Sequence, residues 1–301
     1  MKLFGFDLSR FKIAFLILLL LIVPLFFVSG PSAFSPEIYR RFWDLGHPIF
    51  FALLSMSLIW WGLVNSAKRF LVACVLVFAS SLLIEKIQSY IGREESWLDV
   101  LDNMAGFLLG YAVLQVSAVK KYSLVVISFV ALLPSTWNLV KSILLCVNLW
   151  WQFPVLLGGD YQWELNAWSG DIHSTPKTGY QLHFKGKAFD SIDMMGFIQS
   201  WKDFQTLKLE INNPSNDVFD LTLRISDKQH EMSDQQYSDR FNRRISIQPG
   251  EQTIQIRIQD IEQSPAGRSL NLDEIYLLEL FLPEDGKARD LQVKKIYLSA
   301  D

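Results

Sequence analysis

The sequence predicts two architectures in one chain: a membrane α-helical bundle of about five spans over residues 1–157 and an all-β sandwich over residues 158–301. Three observations carry this. Apolar runs of spanning length recur in the first half, beginning with Phe11–Val28, and a helix needs ~20 mostly apolar residues to cross a bilayer. Period-two alternation takes over in the second half, as in the TLKLEI run of Thr206–Ile211. The charge divides at the same place: residues 1–158 hold 12 Lys/Arg and 8 Asp/Glu, whereas residues 159–301 hold 16 and 23. The apolar runs exclude a single soluble globular domain. The acidic polar half, with no basic block, argues against nucleic-acid binding. Cys74 and Cys146, the only cysteines, lie in apolar runs, which argues against a disulfide scaffold.

The spans follow in order. Phe11–Val28 is the first; Pro24 inside it is tolerated where a neighbouring helix satisfies the freed carbonyl. The alternative is a signal peptide, with Pro31-Ser32-Ala33 as its cleavage site. Pro48–Val64 is the second span, its Pro suiting a first helical turn. Phe70–Ile84, continuing through Tyr90, is the third, Val100–Val119 the fourth and Tyr122–Trp137 the fifth. Leu139–Leu157 contains Lys141 and ends in Trp150, Trp151 and Phe153. It reads as an interfacial helix, with a sixth span as the alternative. Lys2, Arg10, Lys12, Lys68, Arg69, Lys120 and Lys121 all fall on one side of a five-span arrangement. By the positive-inside rule that side is cytoplasmic, which places the N-terminus in the cytoplasm and the second half outside the inner (plasma) membrane.

On this topology three spans aim polar side chains at one outer level. His47 lies at the start of span 2. Glu85 and Gln88, three apart and on one helix face, end span 3. Arg93 and Ser96 are in the loop, and Asp99 and Asn103, four apart, start span 4. Ionisable groups near hydrocarbon are expensive, so their convergence suggests a site. The alternative is a staple in which Arg93 pairs with Glu85 and Asp99 to hold the helices together. Gly106 and Gly110 form a GxxxG step suited to close helix packing. Asp7, Asp102 and Glu94-Glu95 read as solvated charges. The string Glu85-x2-Gln88-x4-Arg93-x2-Ser96-x2-Asp99-x3-Asn103-x2-Gly106-x3-Gly110, with Gly46-His47 upstream, resembles the VanZ-like membrane protein family over residues 38–118. Many members carry a Lys three residues before the His; here that position is Asp44. The resemblance implies an integral membrane protein of the cell envelope and no settled reaction.

In the second half, Thr206–Ile211, Phe219–Ile225, Ile245–Ile247, Thr253–Ile258, Ile275–Leu282 and Leu291–Leu298 read as strands. Asn212-Asn213-Pro214, Pro249-Gly250, Pro265-Ala266-Gly267 and Pro283–Gly286 punctuate them as turns. Regular strands without a long helix predict a β-sandwich. The stretches Trp201–Phe204, Tyr237–Asn242 and Pro265–Ile275 resemble galactose-binding-like jelly-roll sandwiches, the fold of many carbohydrate-binding modules. Trp163, Trp168, Tyr180, Trp201, Tyr237 and Phe241 are candidates for stacking on sugar rings, with core packing as the alternative for each. Asp227, Asp234 and Asp239 offer oxygen ligands for a structural Ca²⁺ but lack EF-hand spacing. His173, His183 and His230 show no zinc spacing. No metal or cofactor is expected.

Two functional expectations result. In the first, the sandwich binds a surface carbohydrate while the membrane half anchors it, with an outward polar site for a membrane lipid headgroup or lipid-linked glycan. In the second, the chain is an enzyme acting on such a lipid. There His47 or Glu85 serves as general acid/base, Arg93 as phosphate holder and Asp99 as orienting group; Gln88, Ser96 and Asn103 complete the pocket. A purely structural polar staple is the third possibility.

Overall fold

The computed structural model describes residues 2–3, 6–28, 30–31, 35–90, 95–115, 118–158, 162–175, 179–187, 190–283 and 287–301. Arg93, Glu94, Ser32-Ala33 and the tip of the Pro283–Gly286 turn lie outside the described residues. Two compact units result, and the division between them falls after Ser142.

In the first unit, α1 (Leu8–Ile22) runs into a 3-10 turn, Val23–Phe27. Pro24 sits in the first positions of that turn, where its missing N–H costs nothing. Short α2 (Glu37–Asp44) is followed by α3 (Gly46–Trp60), α4 (Ala67–Tyr90), α5 (Trp97–Gln115) and α6 (Ala118–Gln152), whose residues from Ile143 onward fall in the second unit. Among the described residues, four stretches are long and apolar enough to cross a membrane: Glu37–Trp60, Ala67–Tyr90, Trp97–Leu114 and Tyr122–Gln152. The first expected span is a shorter apolar helix, Lys12–Phe27. The expected fifth span and the separate segment after it are one helix as far as Gln152, and the end of that segment, Val155–Leu157, is a strand. Pro134 lies inside α6 without ending it. Proline removes one backbone donor, and the Thr136 hydroxyl donates to the carbonyls of Leu132 and Leu133 at 2.8 and 3.2 Å on the next turn.

The pairing of α3 with α5 depends on glycine. A Cβ on Gly106 would collide with the backbone of Pro48, and one on Gly110 with the backbone of Ala52. Small residues let helix backbones approach closely where apolar lipid supplies no hydrophobic drive. Phe26, Phe50, Phe51 and Phe107 are buried around this contact. Phe70 stacks on Tyr111 at 3.8 Å, and Lys12 Nζ donates to the Trp60 carbonyl at 2.6 Å. Leu71, Val75, Leu76 and Leu83 on α4 are exposed. Large apolar groups left uncovered in this way suit a lipid-facing surface.

The second unit is a sandwich. Its strands are β1 (Val155–Leu157), β2 (Trp168–Ser169), β3 (Ile172–Thr175), β4 (Gly179–Phe184), β5 (Ser191–Met195), β6 (Thr206–Asn213), β7 (Phe219–Asp227), β8 (Phe241–Ile247), β9 (Gly250–Arg257), β10 (Ile275–Phe281) and β11 (Arg289–Ser299). One sheet has the order β8-β7-β10-β5-β2. The other has β9-β6-β11-β4-β3, with β1 also paired to β11. Every pairing in the sandwich is antiparallel. Strict alternation builds the core: Leu207, Leu209 and Ile211 of β6, with Leu221, Leu223 and Ile225 of β7, point inward and are buried. All six sequence-predicted strands are present. Asn212 and Asn213, expected in a turn, complete β6, and the Gly179–Phe184 alternation is a further strand.

Candidate functional site

The polar residues of α3, α4 and α5 converge in the first unit. His47 sits in the first turn of α3, buried. Its Nδ1 lies 3.2 Å from Asn103 Oδ1 and its Nε2 lies 3.8 Å from Asp99 Oδ2. An amide oxygen only accepts, so Nδ1 carries a proton, and Nε2 is the ring nitrogen turned toward Asp99. Ser96 caps α5: its Oγ accepts from the Asp99 backbone N–H at 3.3 Å, the usual N-cap geometry. Glu85 Oε2 accepts from the Ser96 backbone N–H at 2.9 Å, which ties α4 to the start of α5. Gln88 Nε2 donates to the Phe26 carbonyl at 2.8 Å, and the Phe26 ring meets His47 edge-on at 4.9 Å.

The structure therefore brings together His47, Glu85, Asp99, Ser96 and Asn103, with Gln88 beside them; Arg93 lies outside the described residues. One ligand atom each from His47, Glu85 and Asp99 falls within a mutual 4.8 Å. No metal was expected because the three residues are scattered over three helices, and no fixed local spacing announces them. Asp102, read as a solvated charge, is instead buried, with Ser135 of α6 as hydrogen-bond partner.

The aromatic candidates of the sandwich separate sharply. Trp201 is 0% and Trp168 6% exposed, within the core. Trp168 Nε1 donates to the Leu156 carbonyl at 3.3 Å. Neither ring has a free face for a sugar, so both are corrected to core residues. Tyr180 is buried, its hydroxyl donating to Glu164 at 2.6 Å, and Phe241 is also core. Trp163 is half-buried. Tyr237 is 71% exposed, with the Arg240 guanidinium 5.4 Å from its ring centre.

Asp227 and Asp239 do not frame a calcium site. The Arg268 guanidinium lies between them, meeting Asp227 at 2.5 and 2.9 Å and Asp239 at 2.5 and 3.0 Å. Burial works to raise the Asp227 carboxyl. The Arg268 guanidinium and the backbone N–H groups of Asn271 and His230 outweigh it and hold the group below its ordinary 3.8.

One feature of the second unit was missed in the sequence. On the outer face of the six-stranded sheet, the register aligns Glu251 of β9, Asn212 of β6, Gln292 of β11, Gln181 of β4 and His173 of β3 in one cross-strand row. Asn212 Nδ2 donates to Gln292 Oε1 at 2.7 Å. Glu251, Asn212 and Gln292 of this row line a groove of about 750 Å³ that also includes Glu210 and Lys295. The Tyr297 hydroxyl donates to Glu210 at 3.1 Å nearby. Outward alternation in β6 and β11 was the available signal, but the pairing that makes a row of it depends on register.

No family model matches the chain, and no curated protein matches it. Solved structures show a likeness over its C-terminal part. One is PfGH50B, at 17% identity and TM-score 0.34, covering 44% of this chain and 22% of that one. A second is a family 11 carbohydrate-binding module from Clostridium thermocellum in complex with a β-1,3-1,4-mixed-linked tetrasaccharide. It has 18% identity and TM-score 0.33, covering 44% of this chain and 82% of the module. A third is a carbohydrate-binding module of family 28 specific for non-crystalline cellulose, at 8% identity and TM-score 0.32, with 44% and 87% covered. At these scores and identities the likenesses assign no ligand and no activity.

Proposed function

We propose that the chain is a carbohydrate-binding membrane protein of the cell envelope. Its VanZ-like helices anchor the sandwich outside the membrane and offer the His47 cluster to a lipid headgroup or lipid-linked glycan. The observation that supports this reading is the row Glu251–Asn212–Gln292, which lines the groove and has Gln181 next in register. A carboxamide carries donors and an acceptor on one planar group, which suits the neighbouring hydroxyls of a sugar. The internal Asn212–Gln292 bond orders the row before a ligand arrives, so less freedom is lost on binding. The full-length chain in detergent is tested by pull-down and affinity electrophoresis against soluble β-glucans and envelope glycans. Wild type is expected to be retained, and Gln181→Ala with Gln292→Ala to weaken retention about tenfold, one hydrogen bond's worth. Absence of binding across the panel sinks the reading.

The second reading is an enzyme that modifies an envelope lipid or lipid-linked glycan. The 3.8 Å approach of His47 Nε2 to Asp99 favours it. There His47 moves the proton, Asp99 orients it, Glu85 serves as the second acid/base group and Arg93 holds a phosphate. Single Ala variants of the four that insert normally, yet leave the lipid and glycan profile of the cell unchanged, would exclude it.

A further inference from the structure

We propose that His47, Glu85 and Asp99 form a divalent metal site, best matched to Zn²⁺, between α3, α4 and α5. The donor set is one imidazole nitrogen and two carboxylate oxygens, each from a different helix, all buried and within 4.8 Å of one another. Zinc takes such ligands at ~2.0–2.2 Å, which sets tetrahedral ligand atoms about 3.3–3.5 Å apart. The His47–Asp99 separation of 3.8 Å closes to that value with a small side-chain rotation.

The surroundings have the form of a second coordination sphere. A ligating histidine normally gives its other ring N–H to a fixed acceptor; here Asn103 Oδ1 takes the His47 Nδ1 proton and turns Nε2 toward Asp99. Ligating carboxylates are hydrogen-bonded in turn, and Glu85 is held by the Ser96 N–H. An independent observation points to a further ligand. Asn103 is fully buried, and its Nδ2 has no partner among the described residues. Three protein ligands leave a fourth position for water or an anionic oxygen, and an oxygen ligand reaching past the His47 ring would be an acceptor for this donor. A phosphate oxygen is the ligand class this combination takes. A guanidinium would neutralise the same carboxylates, but it cannot accept the imidazole lone pair as a ligand. The site stands on the first unit alone and is independent of glycan binding by the sandwich.

The test uses the full-length chain in detergent, stripped with chelator, dialysed against ZnCl₂ and assayed for zinc per chain. Wild type is expected to retain one equivalent, with an X-ray absorption edge showing only nitrogen and oxygen neighbours. His47→Ala and Asp99→Asn are expected to abolish retention. Asn103→Ala, which removes no ligand, is expected to weaken it about tenfold. His173→Ala and His183→Ala, in the sandwich, are expected to leave it unchanged. A wild-type chain that retains no zinc, or zinc lost through the His173 or His183 variants, overturns the proposal. The wild-type spectrum and Asn103→Ala decide the matter even if a ligand variant fails to fold.

Discussion

Each unit holds a buried polar cluster, and the Asp227 carboxylate of the sandwich and the His47 cluster of the helices differ in how fully their central groups are satisfied. In the sandwich, the two oxygens of Asp227 receive four donors: the His230 and Asn271 backbone N–H groups and two nitrogens of Arg268. A carboxylate has about four lone-pair sites, so this one is saturated. In the helical unit, Asn103 Nδ2 and Gln88 Oε1 are buried without partners among the described residues. A buried polar atom left unmade costs about 1–3 kcal/mol. Saturation marks a structural staple, whereas spare capacity beside convergent ionisable groups marks a place for a ligand. Unpartnered buried atoms occur in the sandwich as well, His230 Nε2 and Trp201 Nε1 among them, so the proposed helical site rests on the convergence of His47, Glu85 and Asp99.

The sharpest break of this comparison is Arg268→Ala. It strands Asp227, which is fully buried, and removing one partner of a buried pair costs about 3–5 kcal/mol. Arg268 keeps some exposure, so the expected loss is near the lower end, about 3 kcal/mol. Thermal melting of the full-length chain, followed by near-ultraviolet circular dichroism, should show the sandwich transition moving down. Zinc retention by the helical unit should be unaffected. A sandwich transition that stays in place would mean the network is not a staple.

Gly106→Val is the next largest. The added Cβ meets the Pro48 backbone, and overpacking of this kind costs about 1–3 kcal/mol. Because α3 carries His47 and α5 carries Asp99 and Asn103, prising the helices apart also separates the cluster. The variant should lower the melting of the helical unit and reduce zinc retention, leaving glycan retention intact. Loss of glycan retention instead would tie the sandwich to the helices in a way this comparison does not include.

Much of this was legible in sequence because period and burial are local. The six strands named from alternation are all present, since one face of each is core. The GxxxG step of Gly106 and Gly110 correctly signalled a close helix contact. What failed was anything set by long-range register or by competition for burial. Lys141 and the Trp pair suggest that Leu139–Leu157 is separate from Tyr122–Trp137, but Lys141, Trp150 and Trp151 continue the helix that holds Pro134. The carboxamide row was invisible because Gln181, Gln292 and Asn212 are 31 to 111 positions apart and meet only through strand order. Trp168 and Trp201 attract attention as sugar platforms, yet a large ring beside strict alternation is usually absorbed by the core. His47, Glu85 and Asp99 are legible as a set, though not as metal ligands, because the order of the spans places all three at one membrane level.

The smallest effect is the acid response of the sandwich, and its sign follows from the same staple. Asp227 and Asp239 titrate below their ordinary 3.8 in the folded chain, Asp239 chiefly through its hydrogen bonds to Arg268. A depressed folded value means that the stabilisation is complete above the unfolded value. It is then lost as pH falls through the folded one, where the native state must take up protons it resists. The staple's contribution to sandwich stability should therefore be level from neutrality to about pH 4.5 and drop only below about pH 4. Arg268→Lys keeps the charge but loses the planar fork that engages both carboxylates. Its Asp227 should titrate higher, and its acid transition should begin at higher pH than in wild type. Coincident acid transitions for wild type and Arg268→Lys would show that the guanidinium geometry contributes nothing beyond its charge.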